Sequence, residues 1–300
     1  MTQIPDSESD VIRDLENLMG EKIPRLKNIK SGTTGLYSFG YAVADGHIVS
    51  LSIRGKGLVS LPGSLPHLTH LQKLYLRDNE LETIPEVVCE LPKLLDLDVF
   101  NNKIETIPRT IDRIETLERA DLSRNFFKII PDSIGNLENL KRLGLMHVHL
   151  EELPRTIGNL KHLWDLAIFI NKLNELPESI GEMSGLTRLA AHKNELREIP
   201  KSIGNITSLT QLSLNDNRLQ TLPEEIGNLT NLENLRLDGN ELETLPKTLV
   251  HLSSLKGIDV TRNKFTNLPN ALREWFEELE SKGHRVKLAK TQRKLLNAED

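Results

Sequence analysis

The sequence contains a single cysteine, Cys89, among its 300 residues, so no disulfide can form within the chain. Disulfides accumulate in secreted proteins and are rare where the cell keeps thiols reduced. The first ten residues are polar and acidic, and they lack the apolar stretch that marks a signal peptide. These two features predict a reducing, cytoplasmic location.

Long apolar runs, aromatic residues and a strong excess of charge are also missing. No run approaches the ~20 apolar residues of a membrane-spanning helix, so no membrane association is expected. Aromatic residues make up 4% of the chain, which leaves leucine and isoleucine to form the core. The formal net charge is only −5, and this small value gives no reason to expect nucleic-acid binding.

Motifs that carry catalytic chemistry are absent as well. The sequence has no nucleophile motif, no phosphate-binding loop and no dinucleotide-binding fingerprint. The chain is therefore predicted to be non-enzymatic and to need no cofactor.

What the sequence does have is a repeat of 23 residues that runs without insertion or deletion from residue 48. It is clearest over residues 209–231, LTQLSLNDNRLQTLPEEIGNLTN, and its general form is L-x-x-L-x-L-x-x-N-x-L-x-x-L-P-x-x-I-G-x-L-x-x. The ten repeats begin at Ile48, Leu71, Leu94, Leu117, Leu140, Leu163, Leu186, Leu209, Leu232 and Leu255.

The first part of each repeat predicts a short β-strand. Leu212 and Leu214 alternate with polar residues, as they do in a strand that has one buried face. We expect these two leucines to point inward. The residues around them should face outward, namely Gln211, Ser213 and Asn215.

The rest of each repeat predicts a turn and a returning segment. Asn217, at position nine, can bond backbone groups of the neighbouring coils through its side-chain amide. Pro223 suits the first position of a short helical turn, where its missing N–H is not needed, and Gly227 supplies backbone freedom. Ile226 and Leu229 then close the core from the opposite side.

Stacking explains how such a repeat folds, because one coil cannot bury its own apolar face but successive coils can cover one another. We therefore predict an α/β solenoid, a right-handed curved horseshoe with a parallel sheet on its concave side. The predicted domains are an N-terminal cap over 1–47, the repeat array over 48–269 with its last repeat running into the next cap, and a helical C-terminal cap with a polar tail over 270–300.

Helices are predicted at both ends of the array. Asp6 and Ser7 can cap a helix over 8–19, and a second helix should cover 270–282 and end at Gly283. The apolar stripe of the first would consist of Val11, Leu15 and Leu18, and that of the second of Leu272, Trp275, Phe276 and Leu279.

A hairpin is predicted ahead of the first repeat. A strand-like run over 36–43 is followed by Asp45-Gly46, a type I′ turn signal, and then by a strand over 48–53. The hairpin would cover the open edge of the sheet. At the other end, residues 285–288 could add a last short strand.

The L-P-x-x-I-G-x-L spacing, as in residues 222–229, resembles the 23-residue class of leucine-rich repeats. This class includes the plant intracellular Ras-group-related proteins, an animal Ras-pathway scaffold and cytoplasmic relatives in bacteria and archaea. The resemblance covers about residues 48–277 and implies a non-enzymatic adaptor, which in some members engages small GTPases or phosphatases. The chain lacks the R-V-x-F string of phosphatase docking, which weakens that branch of the resemblance.

The framework residues are explained by folding, so recognition should lie in the variable, outward-facing positions. Around the middle of the array these positions are apolar, and large contiguous apolar patches on a surface usually mark contact sites. Met146, Phe169 and His192, all at position seven, should stand side by side above small residues at position five. The predicted partner-binding residues are Phe100, Asp121, Arg142, Met146, His147, Trp164, Phe169, Ile170 and His192.

Three interpretations of this patch are open from the residues alone. It can bind a protein partner on the concave face, it can join copies of the chain, or its side chains can pack only on one another. We expect a monomeric scaffold in signalling that binds a protein, and the resemblance implies a small GTPase as one candidate partner. The adjacent Asp98 and Asp121 are expected to form a surface ion-pair network with Arg119 rather than a catalytic pair.

One departure from the repeat pattern and one group of histidines could bear on function. Val148 replaces the position-nine asparagine in the fifth repeat and should leave neighbouring backbone groups short of a partner. His147 and His149 share that repeat, but His192 lies two repeats on, about 10 Å away at the spacing of neighbouring strands. No cysteine or carboxylate cluster completes that set, so no metal site is predicted.

Overall fold

A computed structural model of the chain describes residues 3–27 and 38–297 and contains two compact units, Met1–Val148 and His149–Asp300. In each unit a short strand, a turn and a returning segment alternate along the chain. Each unit is an α/β solenoid of stacked coils, which confirms the predicted fold class.

The first unit has a sheet whose strands follow one another in chain order. Its helices and longer strands are α1 (Asp6–Met19), β1 (Arg25–Leu26), β2 (Gly40–Ala44), β3 (His47–Ser52), β4 (Lys73–Tyr75), α2 (Glu86–Cys89), β5 (Asp96–Asp98), β6 (Arg119–Asp121) and β7 (Arg142–Gly144). Strands β2 and β3 pair antiparallel, and β3 to β7 pair in parallel. The parallel register places residues 23 apart opposite each other, such as Leu51 and Leu74.

The second unit repeats this register. Its strands and helices are β8 (Asp165–Ala167), β9 (Arg188–Ala190), β10 (Gln211–Ser213), β11 (Asn234–Arg236), β12 (Gly257–Asp259), α3 (Asn270–Ser281), β13 (Arg285–Lys287) and α4 (Lys290–Asn297). All neighbouring strands from β8 to β13 pair in parallel. Two residues at the same position of consecutive repeats are therefore neighbours on the sheet.

The returning segment of most repeats is a short 3-10 helix that follows the proline. Pro223 is extended, with φ −70° and ψ 147°, and stands just before the helix Glu224–Asn228 rather than inside it. Its carbonyl accepts a hydrogen bond from the Ile226 amide at 3.1 Å. Proline is thus the residue before the helix, one position earlier than predicted.

The position-nine asparagines connect consecutive coils. The Asn217 side chain donates to the carbonyls of Ala191 at 3.0 Å and Leu214 at 2.9 Å, and its Oδ1 accepts from the Leu196 amide at 3.2 Å. Each of these groups lies in a turn where the strand pairing has ended. The same three bonds are made by Asn79, Asn102, Asn125, Asn194, Asn240 and Asn263.

Val148 interrupts this ladder. Within the described residues the Phe127 amide has no hydrogen bond, whereas its counterpart one repeat earlier, the Ile104 amide, donates to Asn125 Oδ1 at 3.0 Å. The backbone is also altered, because His149 has a φ of 68°, whereas in the described residues the only other positive φ at this position of a repeat is that of Gly57 in the first repeat. A side chain that cannot bond the turn is accompanied by a local change of backbone conformation.

The repeat glycines serve close packing. Gly227 does not adopt a positive φ. A Cβ on Gly227 would lie 2.5 Å from the Thr248 carbonyl oxygen, and one on Gly204 would lie 2.3 Å from that of Glu225. The expectation of backbone freedom was wrong, since glycine is needed here because the next coil leaves no room for a side chain.

The N-terminal helix differs from its prediction in two ways. It begins at Asp6 after Pro5, and no side chain caps it. Its buried side consists of Glu8, Val11, Ile12 and Leu15. Leu18 is 52% exposed, because Glu8 anchors the first half of the helix to the hairpin and the last turn lies beyond that contact.

The hairpin turn is confirmed, since Asp45 and Gly46 both have positive φ, 50° and 82°. Strand β2 begins at Gly40, and residues 36 and 37 of the predicted strand lie outside the described residues. An unpredicted short strand, β1, pairs in parallel with β2 on its outer side.

The predicted C-terminal helix is present as α3. Helix α3 buries Leu272, Trp275, Phe276 and Leu279, as predicted from their spacing. Strand β13 pairs with β12, and the buried Gln292 of α4 donates to the Val260 carbonyl at 2.9 Å. None of the helices in the described residues has the length and apolar character that a membrane span requires.

Asn215, in the repeat over residues 209–231, was predicted to face outward, and this prediction was wrong. Asn215 at position seven is only 3% exposed, and its amide donates to Asp216 Oδ2 at 2.8 Å. Position-seven side chains on neighbouring strands are spaced only about 4.8 Å apart, so they cover one another.

We expect Val148→Asn to stabilise the first unit by about 1 kcal/mol, because the new amide can bond the Phe127 amide and the Leu122 carbonyl. The converse variant, Asn125→Val, should destabilise it by about 1–3 kcal/mol, since it leaves buried backbone groups unpaired. Urea unfolding followed by circular dichroism measures both. A lower urea midpoint for Val148→Asn would contradict the role given to the ladder.

Gly204→Ala should destabilise the second unit by about 1–3 kcal/mol, because the new methyl group collides with backbone rather than with a movable side chain. Gly63→Ala is the matched control, since a Cβ there would meet no atom within 4 Å. Thermal unfolding of both variants tests the explanation, and equal melting temperatures would refute it.

Candidate partner-binding surface

Phe169 and His192 form a stacked pair on the second unit. Both stand at position seven, on the neighbouring strands β8 and β9, where Ala167 pairs with Ala190. Their ring centroids lie 4.4 Å apart with an interplanar angle of 14°. The structure therefore brings together the two residues of the predicted position-seven row that belong to this unit, and the half-buried pair forms a flat, largely apolar surface.

Small residues and unpaired polar atoms adjoin this pair. Ala190 is buried and Ala167 half-buried at position five. Within the described residues His192 Nδ1 and Asn215 Oδ1 are buried without a hydrogen-bond partner. Most buried polar groups in proteins are paired, so each unpaired atom is a place where a water or a ligand can donate or accept.

Ile170 follows Phe169 directly in the chain, and Trp164 lies at the other end of the same strand, just before β8. They are 37% and 41% exposed, which is high for side chains of this size. Ile170 has a φ of 57°, a conformation that is a true outlier for a β-branched residue. Other repeats place residues such as Asn101, Lys193 or Gly239 at this left-handed position. The fold does not require an exposed isoleucine there, and strain of this kind is often found at functional sites.

The electrostatic setting keeps His192 uncharged. Burial lowers the pKa of His192 below its ordinary value, and the nearby cations of Arg236 and Lys193 lower it further. The imidazole is therefore neutral at neutral pH. Trp164, Phe169, Ile170 and His192, which we call the apolar surface of the second unit, thus carry no charge of their own.

Phe100, on the first unit, is covered by arginines. The Arg77 guanidinium lies 3.9 Å from the centroid of the Phe100 ring, and that of Arg124 lies 5.3 Å away. Cation–π contacts of this kind cover the ring face. A partner would therefore meet the arginines that cover Phe100, and not the exposed apolar ring that was predicted.

The ion pairs near Asp121 also differ from the expectation. Arg119 pairs with Asp96 at 3.1 Å, and Arg77 pairs with Asp98 at 3.0 Å and reaches Asp121 at 4.0 Å. An ion-pair network is present, as predicted, but Arg77 rather than Arg119 joins Asp98 and Asp121. Arg77 connects them because it lies two positions along the neighbouring strand, within reach of both carboxylates.

The other predicted residues of the first unit are Arg142, Met146 and His147. Arg142 and His147 are exposed, and Met146 is half-buried, with its amide donating to Ser123 Oγ at 3.1 Å. His147 has a φ of 56°, the left-handed conformation of its position in every repeat. The predicted row of three is thus described in two parts, Met146 on the first unit and the stacked pair on the second.

A cluster that the sequence reasoning missed lies in the N-terminal cap. Glu8, His47 and His70 each place one ligand atom within 4.8 Å of the others. Glu8 is far from the histidines in sequence, but His47 and His70 are 23 residues apart and so share one position of consecutive coils. That spacing was the signal that could have identified them.

The only cysteine has no features of a nucleophile. Cys89 is buried in the first unit, and burial raises the pKa of its thiol to about 11. Since the thiolate is the reactive form, this side chain stays protonated at neutral pH. Its role is to pack the core.

Leucine-rich-repeat family models match most of the repeat array. A leucine-rich repeat region matches residues 127–220, and leucine rich repeat models match 47–104, 207–265 and 116–137. A comparison with curated proteins gives no match.

Solved structures of this type are similar to the chain. A leucine-rich-repeat protein of Leptospira interrogans is 31% identical, with a TM-score of 0.61, over 75% of this chain and 63% of that one. The leucine-rich-repeat ectodomain of the Arabidopsis thaliana receptor kinase GASSHO1/SCHENGEN3, in complex with CASPARIAN STRIP INTEGRITY FACTOR 2, is 30% identical, with a TM-score of 0.63, over 75% and 27%. An internalin of Listeria monocytogenes, 20% identical with a TM-score of 0.68 over 89% and 73%, shares the fold.

This chain spans less than two thirds of the length of each of the first two proteins. The repeat frame agrees with the matching family models, and the asparagine ladder follows the same frame from Asn79 onward except at Val148. The models together match residues 47–104 and 116–265, so most of the chain consists of leucine-rich repeats.

Proposed function

We propose that this chain is a non-enzymatic interaction module that binds a protein partner through the apolar surface of the second unit. The observation that carries the proposal is the Phe169–His192 stack, together with the exposed Ile170 next to Phe169 in the chain and the exposed Trp164 in the same repeat. Aromatic side chains in such clusters supply much of the energy of protein interfaces. Arg142, Met146 and His147 are proposed as further contacts on the first unit, whereas Phe100 and Asp121 are engaged with Arg77.

The surroundings of the stack suggest the chemistry of the partner. Arg188, Lys193 and Arg236 are exposed and cationic, and all three act electrostatically on His192. A partner segment that carries an aromatic or large apolar side chain flanked by acidic residues would complement this surface.

The finer parts of the proposal are the class of partner and the cellular location. Complexes of similar proteins, such as GASSHO1/SCHENGEN3 with CASPARIAN STRIP INTEGRITY FACTOR 2, support a protein or peptide as the ligand. The resemblance of the repeat to Ras-related scaffolds makes a small GTPase the first partner class to test. A reducing, cytoplasmic location is supported by the single cysteine, Cys89, which is free and buried.

Replacing Ile170 separates binding from folding. Ile170→Asn should raise the stability of the second unit by about 1 kcal/mol, because asparagine tolerates the left-handed conformation, while it removes an apolar contact. We expect the melting temperature to rise and the affinity for the partner to fall together. A contact mutation that merely damages the fold would lower both.

The decisive binding experiment uses Trp164→Ala and Phe169→Asp. Partners are captured from a lysate with each variant and quantified, and the protein that is lost is purified and titrated by calorimetry. At a central contact each change should weaken binding at least about 30-fold, the equivalent of ~2 kcal/mol. Ile129→Asn, at an exposed isoleucine of the first unit outside this surface, is the matched control.

Self-association through the same surface is the second candidate function. Light scattering over a concentration series distinguishes the two, because only self-association makes the mass rise with concentration. A partner that binds all variants equally would refute the proposed surface.

A further inference from the structure

We propose that Glu8, His47 and His70 form a binding site for a divalent transition metal ion, with Zn²⁺ as the best match. One carboxylate oxygen and one nitrogen from each imidazole lie within 4.8 Å of one another. Two imidazoles and a carboxylate are a set of three protein ligands that leaves a fourth position for water in a tetrahedral zinc site. All three residues belong to the first unit.

Glu8 is the fixed member of the cluster. It is 1% exposed, its Oε2 accepts a hydrogen bond from the Ile48 amide at 2.8 Å, and its Oε1 lies 2.7 Å from His47 Nδ1. A buried carboxylate is costly unless it is paired or coordinates a metal. The backbone bond holds this carboxylate in place and directs its second oxygen toward the histidines.

The two histidines are held side by side by the repeat itself. Because they are 23 residues apart, their rings stack with centroids 3.8 Å apart and an interplanar angle of 19°. Both side chains are half-buried, so an ion can reach them from solvent. His70 Nδ1 lies 3.2 Å from Thr69 Oγ1, a contact that can orient the ring and leave Nε2 for the metal.

Coordination requires the two rings to leave their stacked arrangement. Ligand bonds of about 2.1 Å place the ligand atoms of a tetrahedral site about 3.4 Å apart. The nitrogen lone pairs of the stacked imidazoles lie in nearly parallel ring planes, so His47 and His70 would rotate about their side-chain bonds to direct one nitrogen each at the ion. Both side chains are half-buried, and their solvent-facing sides leave room for this rotation.

A metal at this site would join three separate segments. Glu8 comes from helix α1, His47 from the start of strand β3, and His70 from the end of the first repeat. Terminal coils of solenoids depend on their caps, and this chain has one cysteine and so no disulfide to secure the cap. Binding to the folded state alone stabilises it in proportion to the logarithm of the free metal concentration.

The test uses the full chain with any purification tag removed. Calorimetry should show one Zn²⁺ per chain, and Co²⁺ should give the visible absorption of a tetrahedral site. Added Zn²⁺ should raise the melting temperature, and a chelator should reverse the rise. Mg²⁺ should have no such effect, because it prefers oxygen ligands.

His47→Gln and His70→Gln should each weaken Zn²⁺ binding at least about tenfold and abolish the thermal shift. His67→Gln, at an exposed histidine of the same repeat outside the cluster, is the matched control and should bind like the wild type. Glu8→Gln is less informative because the carboxylate also supports the Ile48 amide. Absence of saturable Zn²⁺ binding, or binding that survives both histidine substitutions, would overturn the site.

Discussion

Most coils in this chain are held to their neighbours by a side-chain amide that reaches three segments of backbone at once. The turn after each strand leaves amide and carbonyl groups that the sheet no longer pairs, and a position-nine asparagine such as Asn217 bonds them. Leaving those groups buried without partners would cost about 1–3 kcal/mol each. The leucine core, the close-packed glycines and the parallel strands all depend on that solution.

The repeat pattern allowed much of this architecture to be predicted. Periodicity alone located the strands, the asparagine ladder and helix α3, because each depends on which residues are apolar and on their spacing. The position of a residue in its coil does not determine how neighbouring side chains cover it. For this reason Asn215 was wrongly expected to face outward, and Gly227 was assigned backbone freedom instead of close packing.

At the candidate surface, too, the repeat register predicted which residues are neighbours but not which side chains contact each other. The adjacency of Phe169 and His192 followed from the 23-residue register, whereas the arginines over Phe100 could not be foreseen. Long flexible side chains such as Arg77 choose among several partners within reach, and sequence spacing does not rank those choices. The cluster of Glu8, His47 and His70 was missed because one of its members lies outside the repeat frame altogether.

Stability and recognition depend on different positions of the repeat. The inward leucines and the asparagines repeat with little variation, while the left-handed position tolerates Asp, Arg, His, Lys and even the strained Ile170. The position of Ile170 can therefore hold many residue types, and an isoleucine there causes local strain. The inward leucines and the asparagines keep the backbone fixed around it.

The constant offset between bonded groups has a consequence for how such a chain can change in length. Every ladder bond of Asn217 runs to groups 26, 3 or 21 residues earlier, and Asn240 repeats the same offsets. A gene duplication or deletion that spans a whole multiple of 23 codons would leave all these partners in register, and any other length would unpair them. During evolution, whole coils can therefore be gained or lost far more easily than single residues within the array.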